Sequence, residues 1–423
     1  MKYLIYIFLF FGIFKSVSQN NLNQQFTAIE SKVIKWRRDF HKNPELSNRE
    51  FKTAEKIAIH LKSLGLDVQT GIAHTGVVAV LKGKHPGKVI ALRADIDALP
   101  VTERNDLPFK SEVKTTFLNT ETGVMHACGH DTHTAILMGV AEILANNKDK
   151  IRGTVKIIFQ PAEEGPPPGE EGGAALMIKE GVLENPKVDA IFGLHIRSNY
   201  EIGTIHYKSG GTMAAVDRFV LNVKGKQTHG GRPWQGVDPI LISAKIIDGF
   251  QSIISRETKL VDEAAVISFG KITAGTRFNI IPESTELIGT IRTLDTEMRS
   301  KIIKRMHEMS DNIAKAYGGE AKLDVQEQTA ITYNDPDLTN QTLPSLYKAI
   351  GKENVRIRKA TTGGEDFSYF QEKIPGFYFF LGGMTPGNTQ AFPHHTPDFV
   401  IDDNGLISGV KALTQITFDF LNK

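Results

Sequence analysis

The stretch Thr154-Val155-Lys156-Ile157-Ile158-Phe159-Gln160-Pro161-Ala162-Glu163-Glu164 indicates how the first part of this chain folds. Its β-branched and aromatic residues form a short apolar run, which predicts a buried strand ending at the proline and the two carboxylates. Helical apolar spacing precedes this strand at residues 133–144 and follows it at 174–179, and another strand is predicted at 188–194. This alternation of strands and helices predicts an α/β layer sandwich.

The pattern extends to both ends of the chain. Towards the N-terminus it predicts strands at 77–80 and 89–92, and two helices between 21 and 64 that are separated by a turn at Asn43-Pro44. Beyond Pro336 it predicts further helix and strand signals, including an aromatic strand at 377–380 and a last helix at 405–421. We therefore expect both ends of the chain to contribute to one domain.

A different order of elements follows Tyr207. The predicted sequence is strand, helix, strand, strand, helix, strand, at residues 219–223, 239–254, 266–272, 285–291, 297–317 and 321–325. This is the split βαβ order of a ferredoxin-like unit. The predicted domains are therefore a first domain of residues 19–207 and 330–423 and an inserted domain of residues 208–329.

The N-terminal residues 1–18 have the layout of a secretory signal peptide. An apolar run from Tyr3 to Phe14 is followed by Lys15 and by small or polar residues, with the predicted cleavage site after Ser18. The run is short for a membrane span, and an uncleaved anchor is the alternative. We expect an exported protein, periplasmic or secreted, without stable membrane insertion after cleavage.

Composition narrows the classes of partner. Lys and Arg number 50 and Asp and Glu number 48, so the charge balance gives no reason to expect binding to nucleic acid or to an anionic membrane. The 423 residues exceed what one core usually organises, which favours two domains. The single cysteine, Cys128, cannot form an internal disulfide. A lone thiol in an oxidising compartment is easier to explain if a metal occupies it.

Residues that bind metals are concentrated in one segment and at predicted strand ends. Residues 125–133 contain three histidines, one aspartate and Cys128, and Gly129 allows Cys128 and His130 to turn towards one ion. Other candidates follow predicted strands, where ligands bind in open α/β sheets: Asp95, Asp97, Glu163, Glu164 and His195. Each has a structural explanation as a turn cap, a solvated carboxylate or a core histidine. Together with His395 they indicate a site for more than one ion.

Several motifs carry a family resemblance. They are Leu92 to Pro100, Met125 to His133, Gln160 to Glu164, Gly193-Leu194-His195, Gly363-Gly364-Glu365-Asp366-Phe367 and His395-Thr396-Pro397. Together they resemble the M20 family of metallopeptidases, in particular amidohydrolases that cleave N-acyl amino acids, such as hippurate and auxin-conjugate hydrolases. The resemblance implies a zinc-peptidase-like α/β/α catalytic domain with an inserted ferredoxin-like lid and dimerisation domain. It also implies a homodimer.

The resemblance assigns roles to individual residues. It implies two divalent ions per subunit, chosen among Zn, Mn, Co and Ni, with the ligands Cys128, His130, Glu164, His195 and His395. His394 is the less favoured neighbour of His395. Glu163 matches the family's general acid/base, and Asp97 matches the acidic residue that supports the metals. In the inserted domain, His229 would polarise the scissile carbonyl, and Asn279 and Arg292 would bind the substrate carboxylate.

The expected function is hydrolysis of the amide bond of N-acyl amino acids by metal-activated water, and the expected partner is a small molecule or a short peptide. A dipeptidase or carboxypeptidase of the same family is the alternative. A hydrolase with Cys128 as nucleophile and His130 or His126 as base explains the single cysteine, but it leaves Glu163 and Glu164 without roles. A non-catalytic relative that uses the inserted domain for assembly is a third possibility.

Overall fold

The computed structural model describes the backbone of residues 2–422 and the side chains of residues 22–422. The signal peptide predicted at residues 1–18 lies outside the described side chains. In the part of the chain that is described, no helix is both long and apolar enough to cross a membrane.

The helices begin and end as follows: α1 Lys2–Lys42, α2 Phe51–Ser63, α3 His130–Asn146, α4 Gly173–Lys179, α5 Pro239–Ser252, α6 Thr296–Ala316, α7 Pro336–Ile350, α8 Phe367–Gln371 and α9 Leu406–Leu421. The strands are β1 Asp67–Ile72, β2 Gly76–Lys82, β3 His85–Asp95, β4 Lys114–Phe117, β5 Thr120–Gly123, β6 Arg152–Gln160, β7 Ala190–Glu201, β8 Ile205–Tyr207, β9 Gly210–Met213, β10 Ala215–Lys224, β11 Thr228–His229, β12 Ala265–Ala274, β13 Ile280–Ile281, β14 Ser284–Thr293, β15 Glu320–Thr329, β16 Thr332–Asn334, β17 Val355–Ile357 and β18 Gly376–Met384.

The chain divides into two compact units. The first comprises Met1–Tyr207, Asn334–Arg358 and Lys373–Lys423, and the second comprises Lys208–Tyr333 and Lys359–Glu372. The segment Lys359–Glu372 thus groups with the inserted residues, although its place in the chain predicted that it belongs to the first domain.

The first unit is built on an eight-stranded sheet in the order β1-β2-β6-β3-β7-β18-β8-β17. The central strands β6, β3, β7 and β18 are parallel, and β1 and β2 form an antiparallel edge. Apolar residues of α1, α2, α3, α7 and α9 pack with residues of these strands into one core. The mixed α/β fold predicted from the sequence is confirmed.

The parallel strands bring separate parts of the chain to one edge of the sheet. β3 ends at Asp95 and β6 ends at Gln160, where these two residues are paired in register. β7 differs from its prediction, because it continues to Glu201 instead of ending before His195. Ile196 pairs with Leu381 of β18, and this pairing extends β7 beyond the end that the apolar pattern predicts.

The second unit contains a four-stranded antiparallel sheet in the order β12-β14-β10-β15. In chain order its elements are β10, α5, β12, β14, α6 and β15, which is the arrangement of a ferredoxin-like unit. Apolar residues of α5 and α6, including Ile246, Phe250 and Met306, pack with the inward residues of the strands. Asp238 caps α5 and Asp295 caps α6 by accepting hydrogen bonds from backbone N–H groups.

Candidate metal centre

A glycine positions the first histidine of the site. Gly129 precedes α3 with φ 93°, and His130 is the first residue of the helix. A Cβ on Gly129 would lie 2.2 Å from Cγ2 of Ile196. Only glycine combines this backbone conformation with so close an approach, and the turn directs Cys128 and His130 to the same region.

The ring of His130 is oriented by Asp97. His130 Nδ1 lies 3.0 Å from the Asp97 carbonyl oxygen and 3.1 Å from Asp97 Oδ1. Because a carbonyl only accepts, Nδ1 carries the proton and donates. His130 Nε2 is buried without a hydrogen-bond partner among the described residues. It lies 3.7 Å from Glu163 Oε2 and 3.9 Å from Glu164 Oε1, so it is directed at the two carboxylates.

Asp97 also positions the turn that carries the two glutamates. Asp97 Oδ2 accepts hydrogen bonds from the Glu164 N–H at 3.0 Å and from the Ser47 hydroxyl at 2.9 Å. Burial acts to raise the pKa of Asp97, but the hydrogen bond from His130 and the charge of that ring lower it overall. Asp97 is therefore held as a carboxylate that supports both His130 and Glu164.

Cys128 lies at the centre of the donor atoms. Its Sγ is 3.4 Å from His195 Nε2, 3.3 Å from His395 Nε2 and 3.7 Å from His394 Nδ1. Two groups of three residues include this sulfur, and within each group the donor atoms lie within 4.8 Å of one another: Cys128 with His130 and Glu164, and Cys128 with His195 and His394. The Cys128 sulfur would be available to an ion held by either group. Thiolate, imidazole and carboxylate donors suit a borderline divalent metal.

His195 presents one nitrogen to this cluster. Its Nδ1 lies 2.5 Å from the Ile196 carbonyl oxygen, so Nδ1 donates and Nε2 faces Cys128 unprotonated. Burial and the nearby charge of Arg197 lower the pKa of His195 well below its ordinary value. A neutral imidazole with an available Nε2 is the form that binds a metal.

His394 and His395 differ in what their rings contact. His394 Nδ1 lies 3.2 Å from the Cys128 carbonyl oxygen, and its Nε2 accepts a hydrogen bond from the Ser198 N–H at 3.5 Å. His395 Nε2 faces Glu164 Oε1 at 3.0 Å as well as the Cys128 sulfur. His395 adopts φ 63°, and its N–H donates to the Ala127 carbonyl oxygen at 2.9 Å. The group of donors formed with Cys128 and His195 includes His394, whereas His395 faces Glu164 as well as the sulfur, so both rings lie beside the candidate centre.

Asp95 and His133, which lie in the motifs at residues 92–100 and 125–133, form hydrogen bonds within the protein. Asp95 Oδ2 accepts from Arg93 at 2.7 Å, and Asp95 Oδ1 accepts from His133 Nδ1 at 2.6 Å. His133 Nε2 in turn accepts from the Ile196 N–H at 2.8 Å. Both nitrogens of His133 and both oxygens of Asp95 are thus engaged within the protein. Asp95, a ligand candidate in the sequence, joins β3, α3 and β7 instead.

Sequence reasoning missed Glu50. This buried carboxylate accepts a hydrogen bond from the Ala162 N–H at 3.0 Å through Oε1 and one from the Thr75 hydroxyl at 2.6 Å through Oε2. Ala162 has φ 51° and directly precedes Glu163. Burial and the nearby charge of Asp97 raise the pKa of Glu50 to about 8. No feature of the sequence distinguishes Glu50 from the other glutamates near the helix starts.

The residues predicted in the inserted domain lie in two places of the second unit. β11 pairs with β13, and the Gly230 N–H donates to the Asn279 carbonyl oxygen, so His229 and Asn279 belong to one small ribbon. Asn279 Oδ1 is buried without a hydrogen-bond partner among the described residues. Arg292 lies in β14 of the four-stranded sheet, where burial lowers the pKa of its guanidinium.

Comparisons with known proteins identify the family of this chain. The model of peptidase family M20/M25/M40 matches residues 91–419. The chain is 41% identical over 404 residues to thermostable carboxypeptidase 2 of Saccharolobus solfataricus, covering 95% of this chain and 98% of that protein. It is 39% identical over 390 residues to the N-acetylcysteine deacetylase of Bacillus subtilis, covering 92% and 97%.

A solved structure extends the comparison to the fold. A Bacillus subtilis protein described as a dinuclear metal binding peptidase from the M20 family has 35% sequence identity and a TM-score of 0.79, covering 94% of this chain and 99% of that chain. The matching family model covers most of the chain, and the relatives match nearly all of it. The chain therefore belongs to peptidase family M20/M25/M40.

Proposed function

We propose that this chain is a metal-dependent amidohydrolase that releases amino acids from N-acyl amino acids. The observation that carries this proposal is the arrangement around His130. Its Nε2 is buried and faces Glu163 and Glu164, while the Cys128 sulfur is shared by two groups of donors. A buried, unpartnered nitrogen is costly unless a ligand satisfies it, and a cation among carboxylate, thiolate and imidazole donors would do so.

The donors fit two divalent ions of the kind that accept sulfur and nitrogen, namely Zn, Mn, Co or Ni. Cys128, His130, Glu164, His195 and His395 would hold them. When bound, such ions lower the pKa of water from 15.7 to roughly 7 and polarise a carbonyl group. Burial raises the pKa of the Cys128 thiol, and Asp95 and Asp97 raise that of His130 despite burial. Metal uptake must therefore displace protons, and it becomes more favourable as pH rises.

Glu163 is the residue that handles the catalytic proton in this proposal. It lies in the chain between Glu164 and Ala162, whose backbone adopts a left-handed conformation. Its Oε2 lies 3.7 Å from His130 Nε2. A carboxylate in this position can take the proton of the attacking water and deliver it to the departing amine. The family resemblance assigns stabilisation of the developing oxyanion to His229, and binding of the substrate carboxylate to Asn279 and Arg292.

The alternative reaction is removal of a C-terminal residue from a peptide. The carboxypeptidase relative favours it, whereas the N-acetylcysteine deacetylase favours the acyl substrate. Both reactions hydrolyse an amide next to a free carboxylate and need the same catalytic groups. Release of free amine from a panel of N-acetyl amino acids, N-benzoyl amino acids and dipeptides distinguishes them.

Replacement of Glu163 by glutamine tests the mechanism. We expect the Glu163→Gln variant to lose about 100- to 10,000-fold in kcat, because the amide cannot transfer the proton. Metal content measured by elemental analysis should equal that of the wild type. The control is Glu171→Gln. Glu171 is an exposed carboxylate in the loop that follows Glu164, and it pairs with Lys179 of α4, so this variant should retain activity. Unchanged turnover in the Glu163 variant would exclude the mechanism.

A cysteine nucleophile is the competing chemistry. A reactive cysteine needs a lowered thiol pKa, whereas burial raises the pKa of Cys128. Activity that is lost with a chelator and restored by Zn, Mn, Co or Ni supports the metal reaction. Activity that survives complete removal of metal supports the thiol reaction.

We further propose a homodimer formed through the second unit. β12 is an edge strand of the four-stranded sheet, and its Ile272 is 55% exposed. Phe278 and Trp234 of the same unit are 95% and 77% exposed. An apolar sheet edge of this kind favours pairing with a second copy. Sedimentation of the wild type and of an Ile272→Asp variant tests this proposal, and a monomeric wild type would exclude it.

Export is proposed from residues 1–18 alone. Fractionation of the native host and N-terminal sequencing of the mature protein test it. A chain that begins at Gln19 outside the cytoplasm supports export, and a cytoplasmic chain that retains Met1 or Lys2 contradicts it.

A further inference from the structure

One face of the main sheet carries a row of side chains that starts at the metal centre. His195 on β7 pairs in register with Phe380 on β18, which pairs with His206 on β8, which pairs with Arg356 on β17. Directly paired residues on neighbouring strands point to the same face of a sheet. The face that presents His195 to Cys128 therefore continues across the buried Phe380 ring.

Two arginines lie over that ring. Arg197 comes two residues after His195 on β7, so its side chain leaves the same face. Its guanidinium carbon lies 5.0 Å from the centre of the Phe380 ring, and that of Arg358 lies 3.9 Å from it. Arg197 Nε is buried without a hydrogen-bond partner, and Arg197 forms no ion pair with a described residue. Each guanidinium group is attracted to the ring, but the two positive charges repel each other.

The pKa values of two neighbouring groups reflect burial and the positive charge of the arginines at this place. Burial together with the nearby Arg197 lowers the pKa of Arg358 to about 10, although Tyr200 acts in the opposite direction. Burial, Arg356 and Arg358 lower the pKa of His206 to about 4. Tyr200 stacks on the His206 ring at 3.8 Å and lies 5.7 Å from the Arg358 guanidinium carbon. Arg197, whose Nε has no hydrogen-bond partner among the described residues, thus lies beside a second guanidinium group, and an anion at Arg197 would reduce the repulsion between the two charges.

We propose that Arg197 and Arg358 form a subsite for an anionic group of the substrate, next to the metal centre. Guanidinium groups bind carboxylates through paired hydrogen bonds, and partial burial strengthens such contacts. The preferred substrates would then carry a carboxylate in addition to the one next to the scissile amide. This inference rests on the proposed amidohydrolase function. The additional carboxylate belongs either to the amino acid side chain or to the acyl group.

Two pairs of substrates show whether the additional carboxylate belongs to the amino acid side chain or to the acyl group. With the full-length, metal-loaded protein, kcat/KM is measured for N-acetylglutamate against N-acetylglutamine, and for N-succinylalanine against its neutral succinamoyl analogue. We expect the anionic member of one pair to be preferred at least tenfold. Arg197→Met and Arg358→Met should bring that ratio close to one, and Arg197→Lys should retain part of it. The control Arg152→Met, at the opposite end of β6, should leave the ratio unchanged.

Binding gives a second measurement that does not depend on turnover. Glutarate should raise the melting temperature of the wild type more than that of either methionine variant. Equal kcat/KM within both substrate pairs, or a preference that survives both methionine variants, would overturn the subsite. Hydrolysis of the neutral substrates without a charge preference refutes the subsite alone. If no substrate is hydrolysed, the amidohydrolase proposal fails, and glutarate binding by the wild type but not by Arg197→Met still supports the subsite.

Discussion

At the scale of single residues, the candidate centre is defined by which atoms already have protein partners. The Asp97 carbonyl oxygen accepts a hydrogen bond from His130 Nδ1, and the Ile196 carbonyl oxygen accepts one from His195 Nδ1. Each ring therefore presents Nε2 towards the Cys128 sulfur and the carboxylates. The partners of Asp95 and His133 lie within the protein, which removes both from the set of ligands. Supporting hydrogen bonds of this kind fix the tautomer and orientation of a metal ligand.

Glu50 offers a test at this scale. Alanine at this position leaves the Ala162 N–H and the Thr75 hydroxyl without partners, at a cost of about 1–3 kcal/mol for each buried group. Because Ala162 precedes Glu163, we expect Glu50→Ala to lower kcat as well as stability. Glu50→Gln can keep both hydrogen bonds and should retain most of the activity. Equal loss of kcat in both variants would show that the carboxyl group itself is required.

The pKa of Glu50 gives this test a pH dependence. Its value in the folded protein, about 8, lies above the ordinary value of 4.5. The wild type therefore gains its full stabilisation below pH 4.5 and loses it as pH rises through 8. The free energy of unfolding of Glu50→Gln should increase relative to that of the wild type between pH 5 and pH 9. Urea unfolding at several pH values measures this, and a difference that decreases with pH contradicts the assignment.

At the scale of elements, the junction before α3 connects packing to the site. Alanine at Gly129 would require φ 93° and would meet Ile196, which adjoins His195 in β7. Gly65 has a similar φ of 73°, but nothing lies within 4 Å of its Cβ position. Comparison of alanine variants at these two positions therefore distinguishes the energetic cost of backbone strain from that of the steric clash.

We expect Gly65→Ala to lower the free energy of unfolding by about 1 kcal/mol. Gly129→Ala should lower it by about 1–3 kcal/mol more, because the buried Ile196 must move. Gly129→Ala should also bind less metal, since the directions of Cys128 and His195 change. Ile196→Ala in the Gly129→Ala background should restore part of the lost metal affinity. Unfolding free energies and elemental analysis measure these effects. Equal costs for the two single variants would contradict the steric argument.

At the scale of the whole molecule, a buried charge network joins distant segments of the first unit. His41 of α1 lies between Asp131 of α3 at 2.7 Å and Glu103 at 3.1 Å. Arg37 contacts Asp131 at 2.9 Å and Asp403 at 3.1 Å. The network therefore connects the first helix, the helix that begins with His130, and the C-terminal segment.

The charge state of His41 should make this connection depend on pH. Burial and Arg37 lower the pKa of His41, but the hydrogen bonds and charges of Asp131 and Glu103 raise it overall. The stabilisation is complete below the ordinary value of 6.5 and is lost as pH rises through the raised value. At pH 6, His41→Gln should lower the free energy of unfolding by about 3 kcal/mol, because two buried carboxylates each lose one charged partner, although Asp131 keeps Arg37. This cost should decline as pH increases.

Fluorescence can isolate the first unit in this measurement. The chain has two tryptophans, Trp36 in the first unit and Trp234 in the second. In a Trp234→Phe background, urea unfolding of the chelator-treated protein reports the surroundings of Trp36 without the pH dependence of metal binding. A cost of His41→Gln that increases with pH would contradict a charged His41.

Much of the fold could be predicted from periodicity. The two N-terminal helices, the buried strands and the order of elements in the inserted unit all follow from the spacing of apolar residues. The end of β7 could not be predicted, because its continuation past His195 depends on pairing with β18, far away in sequence. The grouping of Lys359–Glu372 with the second unit likewise depends on tertiary packing, which local pattern does not encode.

The sequence by itself determined the kinds of donor atom and therefore the class of chemistry, because thiolate, imidazole and paired carboxylates within one set of motifs suit divalent metal ions. Tertiary structure decided which of these atoms meet. It placed both His394 and His395 beside the Cys128 sulfur, gave Asp95 a supporting role and brought Glu50 to the turn before Glu163. It also placed Arg197 and Arg358 over one ring. Side-chain partners of this kind are set by strand register and loop conformation, and these are fixed only when the whole chain has packed.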